Sequence, residues 1–434
     1  LVDPYRKPHP HLSEVRKVYE PVQFNYLGKG ILEIENKNFF ADFSNKSLQL
    51  KLLVDGKEHI LKKDISLNIK PQSKVKMHFP EIPDMFIPES EFILEVNLIQ
   101  KKGTNMLPEG HEIAWEQILL QKRNKIDNHH KKNGLKIAES TIHEIYDEKT
   151  LLHIDKKTGE ILNWSFKHQE LTTQPIKPNF WRPPTDNDLG NGMDKWAQIW
   201  QKATYNYTSS LIKKPSESKN GINFKVAYQL PNSEAKIIVN YTINSLGVLK
   251  VDYTFSPTKN NLPNIPRLGM YLTLHKDFED VSWYGKGPLE SYWDRKSGQK
   301  IGFYSGKIKD QFHRYSRPQE TGNKTDVRWM QVSSKKIHLK VTSNQLLNSS
   351  VWPFNMKELD FNSNEAAKSA SGLVPVTKKH GADIKIGNTV QWNIDLQQMG
   401  VGGDTSWGRL VHKEYTIPAN KTYKYSFTIT PSIN

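Results

Sequence analysis

Four segments of the sequence concentrate side chains able to bind or transform a ligand. The first, residues 179–192, carries Asp186, Asn187 and Asp188 after two prolines and before two glycines. Carboxylate and amide groups at this spacing can hold a cation or a sugar hydroxyl. They can equally cap turns, or the start of a following helix, by accepting backbone N–H bonds. The sequence leaves both interpretations open and predicts an ordered loop here.

The second and third segments mix aromatic rings with carboxylates and arginines. Sugar-binding sites use this mixture, because aromatic faces stack on C–H patches while planar polar groups bind hydroxyls. The same residue types also form buried arginine–carboxylate networks that join strands, and both interpretations stay open. The secondary candidates for a binding site are Glu290 and Arg295 in residues 283–295, and Glu320 and Arg328 in residues 315–329.

A tryptophan surrounded by glycines marks the fourth segment, residues 398–408. Four glycines flank Trp407 there, so the backbone can adopt positive φ values and present a large rigid ring on a loop. An exposed Trp gives up the free energy of burial unless something stacks on it. The segment therefore indicates either a ligand-stacking Trp407, with Asp404 and Ser406 beside it, or a ring that a partner domain covers.

Several common catalytic and metal-binding motifs are missing from the sequence. There is no Gly-x-Ser-x-Gly elbow, no His-Glu-x-x-His pair and no phosphate-binding loop. The chain has no cysteine, which excludes disulfides, a thiolate nucleophile and cysteine-ligated metals. Its 15 histidines are scattered. No hydrolytic machinery and no metal site can be identified from these residues alone.

The elements that must position the four segments are predicted to be strands. Apolar and polar residues alternate with period two over residues 30–36 and 48–54, and Asp55-Gly56 directly after the second run predicts a hairpin turn. Runs of the same kind recur to the end of the chain. One helix of appreciable length is expected, over residues 193–203. The fold class predicted is all-β.

A polar, basic stretch divides the predicted strands into two domains. Residues 122–134 contain one aliphatic side chain and cannot pack a core, so the boundary is placed there. The strands before the boundary suit a small β-sandwich of about a hundred residues. No second linker interrupts residues 135–434, which predicts one large sandwich.

Charge and hydropathy bear on the partners of the chain. The 61 Lys and Arg against 46 Asp and Glu give a net charge of +15, but the basic residues lie in scattered pairs without a nucleic-acid-binding motif. Surface solvation therefore explains the charge, and we expect no nucleic-acid partner. No apolar run approaches the length of a membrane helix. The first residue is Leu1 and no signal peptide follows, so we expect a mature or excised piece of a longer protein.

Three of the four segments, in this order, resemble signatures of one enzyme family. That family is the large bacterial β-galactosidases of glycoside hydrolase family 2, and the segments look like those of its small-chain domain. The residues that carry the resemblance are Phe180-Trp181-Arg182-Pro183-Pro184-Thr185-Asp186-Asn187-Asp188-Leu189-Gly190, Gly285-Lys286-Gly287-Pro288-Leu289-Glu290-Ser291-Tyr292-Trp293-Asp294-Arg295 and Met399-Gly400-Val401-Gly402-Gly403-Asp404-Thr405-Ser406-Trp407.

The resemblance extends over nearly the whole chain and implies a domain map. Residues 1–22 resemble the end of the family's catalytic barrel, and residues 23–121 resemble its fourth, immunoglobulin-like domain. After the linker at 122–134, residues 135–434 resemble its fifth domain. That domain is a large β-supersandwich similar to galactose mutarotases.

The resemblance also implies what this chain lacks and what it contributes. The family's two catalytic glutamates and its magnesium ligands belong to the barrel, so no catalytic residue and no cofactor is expected in this chain. Trp407 matches the family Trp whose loop reaches the catalytic pocket and stacks on the substrate. Asp404 and Ser406 would shape that loop.

The sequence leads to three hypotheses about the function of the chain. The leading hypothesis is the non-catalytic C-terminal part of an exo-β-galactosidase, whose partners are a β-galactoside and the catalytic barrel of the same parent protein. The second is a free-standing carbohydrate-binding or mutarotase-like protein, and the third, supported by net charge alone, is a nucleic-acid binder. We expect no membrane partner. A homo-oligomer and a cytoplasmic or periplasmic location both stay open.

Overall fold

The chain forms two compact units in a computed structural model. The structure describes residues 1–3, 5–83, 87–123, 134–361, 366–368, 375–377, 379–405 and 408–433. The first unit comprises Leu1–Asp127 and Ser297–Phe303, and the second comprises Asn128–Lys296 and Tyr304–Asn434. The short segment Ser297–Phe303 thus lies within the range that the sequence analysis gave to the second domain, yet it belongs to the first unit.

The described residues of the first unit form two sheets with seven strands in all. A three-stranded sheet has the order β1-β2-β5 and a four-stranded sheet the order β4-β3-β6-β7. Leucine, isoleucine, valine and phenylalanine side chains from both sheets share one core. The elements are α1 (Leu12–Val18), β1 (Val22–Gly28), β2 (Ile31–Asn36), β3 (Lys46–Val54), β4 (Lys57–Ser66), β5 (Ser73–His78), β6 (Phe92–Gln100) and β7 (Glu112–Gln121).

Local turn chemistry and one buried ion pair account for two features of this unit. Asp55 and Gly56 both have positive φ, 48° and 84°, and join β3 to β4 as the sequence predicted. Glu95 is buried on β6, where Lys300 of the segment Ser297–Phe303 donates to its Oε1 at 3.0 Å. Burial raises the pKa of Glu95, but the charge of Lys300 opposes burial and the net pKa is lowered. Lys300 therefore compensates a charge buried on a largely apolar strand.

The second unit is built from a five-stranded and a 12-stranded sheet, with a two-stranded ribbon, β23-β24, beside them. Every strand pair whose register is described in this unit is antiparallel. Its strands are β8 (Lys136–Glu139), β9 (His143–Tyr146), β10 (Thr150–Ile154), β11 (Ile161–Phe166), β12 (Gln169–Glu170), β13 (Gln174–Asn179), β14 (Thr208–Ser218), β15 (Gly221–Gln229), β16 (Ala235–Ile243), β17 (Leu249–Pro257), β18 (Arg267–His275), β19 (Asp280–Gly287), β20 (Lys300–Lys307), β21 (Lys324–Ser333), β22 (Ile337–Trp352), β23 (Ala366–Lys368), β24 (Pro375–Thr377), β25 (Thr389–Gln398) and β26 (Tyr423–Ile433). The first residues of β20, 300–303, belong to the first unit.

One continuous apolar core serves both large sheets of the second unit. Trp164 from the five-stranded sheet and Trp392 from the 12-stranded sheet belong to the same buried cluster. The 12-stranded sheet runs β13-β18-β25-β22-β26-β17-β16-β15-β14, with β19, β20 and β21 off this path. The edge strand β14 shows two register irregularities, on either side of Lys213, and carries Lys214 and Pro215. The all-β prediction is confirmed.

Helices in the second unit are short, and two expectations about them were wrong. The helix predicted over residues 193–203 is two helices, α3 (Met193–Trp196) and α4 (Gln198–Tyr205), which meet at Ala197 with φ −103° and ψ 5°. Residues 186–190, predicted as loop, form the helix α2 (Asp186–Gly190). Single-turn 3₁₀ helices cover Ile308–Asp310, Met356–Glu358, Gly381–Asp383 and Lys413–Tyr415. None of the helices in the described ranges is long and apolar enough to cross a membrane.

Candidate functional site

The helix α2 places the first group of predicted site residues. Thr185 is its N-cap, and Asp188 completes a capping box, because each side chain accepts a bond from the other's backbone N–H. Both carboxylate oxygens of Asp188 also accept from Nη2 of Arg182, at 2.9 and 3.0 Å, in an ion pair without exposed surface. Asp188 therefore has the capping role that the sequence offered as the alternative to ligand binding.

Arg182 and Asp294 hold the start of the glycine-rich loop that follows β25. Arg182 donates to the carbonyl of Met399 and, at 2.8 Å, to that of Gly400. Asp294 accepts from the amides of the next two residues, Val401 at 2.9 Å and Gly402 at 2.8 Å. Four consecutive residues of the loop base are thus fixed by two charged side chains.

The predicted residue Asn187 lies against the same loop base. Its Nδ2 donates to the carbonyl of Val401 at 3.1 Å. Further along, Gly408 packs on the end of α2, where an added Cβ would come within 2.3 Å of the carbonyl carbon of Gly190. The helix therefore contacts the described residues on both sides of the loop tip.

Of the three substrate-binding residues predicted on this loop, the structure describes one. Ser406 and Trp407 lie outside the described residues. Asp404 is half-exposed and its Oδ2 is hydrogen-bonded to Nε2 of His412. This pair joins the outgoing and returning arms of the loop.

The remaining predicted residue of α2, Asp186, faces solvent. Its side chain is 68% exposed and accepts from Nε of Arg317 at 2.8 Å and from Nε2 of Gln319 at 3.1 Å. The segment 315–329 therefore contacts the segment 179–192 through polar side chains. Of the three candidates on α2, Asp186 has the carboxylate that a ligand could reach.

Glu290 and Arg295 form a closed polar cluster. Arg295 donates to Oε1 of Glu290 at 2.6 Å, and Thr321 and the amide of Gly322 donate to Oε2 at 2.9 and 2.7 Å. Tyr315 donates a further bond to Oε1. Burial raises the pKa of Glu290, but Arg295 and these donors outweigh burial and hold the pKa below its ordinary value. The cluster joins two of the predicted segments by the buried network that was the alternative to sugar recognition.

Glu320 shares one guanidinium with a carboxylate that the sequence analysis missed. Arg267 donates to Oε1 of Glu320 at 3.0 Å, and its Nε lies 3.3 Å from Oδ2 of Asp395, with all three side chains fully buried. Asp395 fits there because an added Cβ on Gly269 would lie 2.1 Å from its Oδ1. Burial raises the pKa of both carboxyl groups against the charge of Arg267, that of Asp395 to about 7.

Asp395→Asn is expected to flatten the pH dependence of stability between about pH 4 and pH 7. The folded-state pKa of Asp395, about 7, lies above the ordinary value of 3.8, so the folded chain binds a proton there that the unfolded chain has released. Stability therefore falls as the pH rises through this window, by up to about 1.4 kcal/mol per pH unit from this group. Urea unfolding of both proteins from pH 4 to pH 8 measures the slope.

The matched control for this measurement is Asp252→Asn. Asp252 is an aspartate of β17 with 36% of its side chain exposed, where it pairs with Lys250. Replacing it should leave the slope as it is in the unmodified chain. Coincident slopes for the Asp395 variant and the unmodified chain would show that Asp395 does not retain a proton in the folded state.

The last secondary candidate, Arg328, is placed on β21. It donates to the carbonyl of Asp326 at 2.7 Å, and its guanidinium stacks over Tyr284 at 5.3 Å. These two contacts of Arg328 are with its own strand and with β19. Within the described ranges, no group of three or more His, Asp or Glu side chains is arranged to hold a metal ion.

Sequence reasoning missed the residues that organise the loop base. Arg182 and Asp294 stand inside quoted motifs but were not selected, because nothing local shows that their partners lie 217 and 107 residues away. Arg267 and Asp395 were missed because each reads as one polar residue in an alternating strand. The available signal for such residues is a charged residue within the apolar stretch of a strand that is buried on both faces.

Comparison with protein families gives a match over most of the second unit and most of the first. Residues 147–429 match the model described as β-galactosidase small chain, and residues 32–121 match the model described as β-galactosidase, domain 4. The chain belongs to the β-galactosidase small-chain family. The family resemblance inferred from the three segments is thereby confirmed.

Curated relatives of this small-chain member are named β-galactosidase. Those from Priestia megaterium, Halalkalibacterium halodurans and Lactobacillus delbrueckii subsp. bulgaricus are 30%, 28% and 28% identical over 97%, 98% and 99% of this chain. The chain spans 40%, 40% and 41% of the length of these relatives. It is homologous to a part of each.

Solved structures similar to this small-chain member include two from Lactobacillus acidophilus, a galactose mutarotase related enzyme and a galactose 1-epimerase. Both are 10% identical with a TM-score of 0.37. They cover 67% and 70% of this chain, and 97% and 99% of their own chains.

Proposed function

We propose that this chain is the non-catalytic C-terminal part of an exo-β-galactosidase, an enzyme that hydrolyses terminal β-D-galactosides. The match to the small-chain family over residues 147–429 carries the proposal. The catalytic carboxylates and a magnesium ion would belong to a barrel domain of the same parent protein. This chain would support the assembly of that domain and complete its substrate pocket.

The buried carboxylates of the second unit support a non-catalytic role. Glu290 is surrounded by four donors, and Glu320 and Asp395 have side chains without exposed surface. A retaining glycosidase needs two carboxyl groups that flank the scissile bond about 5 to 5.5 Å apart. A sugar cannot contact these three carboxylates unless the surrounding core opens.

The substrate contact that we propose is the ring of Trp407, with Asp404 and Ser406 shaping the loop around it. The described part of the loop supports this assignment, because Arg182 and Asp294 fix its base while Gly402 and Gly403 have positive φ, 68° and 121°. A loop that is firmly held at its base and turns sharply beyond it can present a side chain away from its own sheet.

The purified chain is expected to fold without hydrolysing a nitrophenyl β-galactoside, while the parent protein hydrolyses it. The physical reason is that the catalytic carboxylates would belong to the barrel domain, while Glu290, Glu320 and Asp395 of the second unit are buried. Circular dichroism checks the fold, and release of nitrophenol measures turnover. Turnover by the chain alone at an ordinary enzyme rate, about 1 per second or more, abolished by a substitution within it, would contradict the proposal.

A further inference from the structure

A short segment of the first unit, Ser297–Phe303, lies between residues of the second unit in the sequence. Lys296 before it and Tyr304 after it both belong to the second unit. Side chains of α1, β6 and β7 make hydrogen bonds and ion pairs to the segment. The segment therefore contacts the rest of the first unit in the way that a peptide contacts a receptor.

Side chains of α1 and β7 bind the main chain of the segment. Both carboxylate oxygens of Glu14 accept backbone bonds, Oε1 from Ser297 at 3.1 Å and Oε2 from Gly298 at 2.8 Å. The carboxamide of Gln117 accepts from the amide of Ile301 at 2.6 Å and donates to its carbonyl at 2.9 Å. A neighbouring antiparallel strand would make the same pair of bonds, so Gln117 substitutes for strand pairing at this position.

Lys300 is the one charged residue in the sequence of the segment. Its ammonium group donates to Oε1 of Glu95 and to Oδ1 of Asn97, both at 3.0 Å. It also donates to Oε2 of Glu112 at 2.7 Å and lies 5.2 Å from the ring centroid of Trp115. Glu95 is 2% exposed, and a buried carboxylate needs a paired cation, while the ring face attracts an ammonium group. The surrounding groups therefore favour a lysine at this position.

Close packing restricts the residue two positions before this lysine. An added Cβ on Gly298 would lie 2.5 Å from the carbonyl carbon and oxygen of Ser13 and 2.6 Å from the amide nitrogen of Glu14. These are main-chain atoms of α1, which cannot rotate away as a side chain can. Gln299 also donates to Oγ of Ser13 at 2.6 Å. The first unit therefore discriminates by shape at position 298 and by charge at position 300.

We infer that α1, β6 and β7 form a peptide-binding surface of the first unit, whose ligand is a segment with a lysine two residues after a glycine. In this chain the ligand is Ser297–Phe303. The surface also binds this peptide when it is supplied as a separate molecule, because the contacts described above are made by the segment itself. A tethered segment has an effective concentration of the order of millimolar, so the chain's own segment must be disabled before a free peptide can replace it.

The test begins with the full chain carrying Gly298→Val and Lys300→Ala together, which changes both the shape and the charge that the surface recognises. Hydrogen exchange at the amides of Leu94 and Val96 on β6 is expected to become at least about tenfold faster. The reason is that Glu95, which lies between them, stays buried after losing its nearest cation.

Two controls confine the effect to this surface. The amides of Val239 and Val251, on β16 and β17 of the second unit, should exchange as they do in the unmodified chain. Lys307→Ala removes another lysine of β20, which pairs with Asp280 at 2.8 Å, and should leave exchange at β6 unchanged. Equal acceleration in both units of the double variant would show unfolding of the whole chain and would contradict the inference.

A synthetic peptide with the sequence of residues 295–305 is the probe of binding. Added to the double variant at about 1 mM, it should slow exchange at Leu94 and Val96 at least about fivefold, because a ligand that binds the folded state stabilises it. The same peptide carrying Lys300→Ala should slow exchange less than about twofold.

Three results would overturn the inference. They are unchanged exchange at β6 in the folded double variant, no effect of the unmodified peptide at 1 mM, and equal effects of the two peptides. If the double variant does not fold, Lys300→Met takes its place, because methionine keeps much of the length of the side chain without its charge. The same exchange rates and the same two peptides then decide the outcome.

Discussion

Glu290→Ala is expected to lower the free energy of unfolding by about 3 to 5 kcal/mol, as removal of one partner of a buried ion pair does. The truncation leaves the guanidinium of Arg295 and the amide of Gly322 without the acceptor that now lies 2.6 and 2.7 Å away, while the hydroxyl of Thr321 keeps the carbonyl of His313 as an acceptor. Unpaired buried donors carry their full desolvation cost. Urea unfolding at pH 7 measures the loss.

The pH dependence of the stability loss and a matched control variant test this prediction further. The folded-state pKa of Glu290 is lowered, so its contribution is present above the ordinary carboxyl pKa and is lost as the pH falls through the folded value. The variant and the unmodified chain should therefore converge in acid. Asp280→Ala, which removes a half-exposed partner of Lys307, should cost less than about 1 kcal/mol. A Glu290→Ala loss no larger than that of the control would show that the cluster adds nothing to stability.

Trp407→Ala in the parent protein is expected to raise KM for galactosides about 5- to 150-fold. This range corresponds to loss of about 1 to 3 kcal/mol of stacking by a large aromatic side chain. The chemical step should change less than it would on loss of a catalytic carboxylate, because stacking binds ground state and transition state nearly alike. Steady-state kinetics of the folded variant measures both constants.

A second tryptophan of the same unit gives the control. Trp329 lies on β21 and packs beneath the ammonium group of Lys340 at 4.2 Å. Trp329→Ala should leave KM near its original value even if it lowers stability. An unchanged KM in a folded Trp407→Ala protein would instead assign Trp407 to packing against a neighbouring domain.

Local chemistry made much of the fold predictable from the sequence. Alternation gave the strands, and Asp55-Gly56 gave its hairpin, because both signals depend on residues only a few positions apart. The division of the predicted helix at Ala197 was not predictable in this way. There the indole of Trp196 donates to Asn191 and that of Trp200 to the carbonyl of Pro263, and the second partner is 63 residues away.

In the candidate site, too, partners that are distant in sequence could not be predicted. The sequence analysis left ligand binding and helix capping open for Asp188. The capping role that the structure shows depends on Thr185, three residues before it. The environment of Glu320 depends on Arg267, 53 residues away, and Arg267 in turn lies beside Asp395. Composition shows that such carboxylates and arginines are present, but it is the antiparallel pairing of β18 with β25 that brings Arg267 beside Asp395. The sequence could therefore identify candidate residues better than their partners.

The edge strand β14 has a consequence for how this protein behaves at high concentration. An open strand edge is a template on which another chain can add a strand, and growth of that kind leads to aggregation. Here Lys214, with 71% of its side chain exposed, would have to lose its hydration, and Pro215 offers no amide hydrogen to an incoming strand. The irregular register on either side of Lys213 further breaks the regular spacing of donors and acceptors. Extension of the sheet past β14 is therefore disfavoured, which protects a 12-stranded sheet from fibre-like growth at this edge.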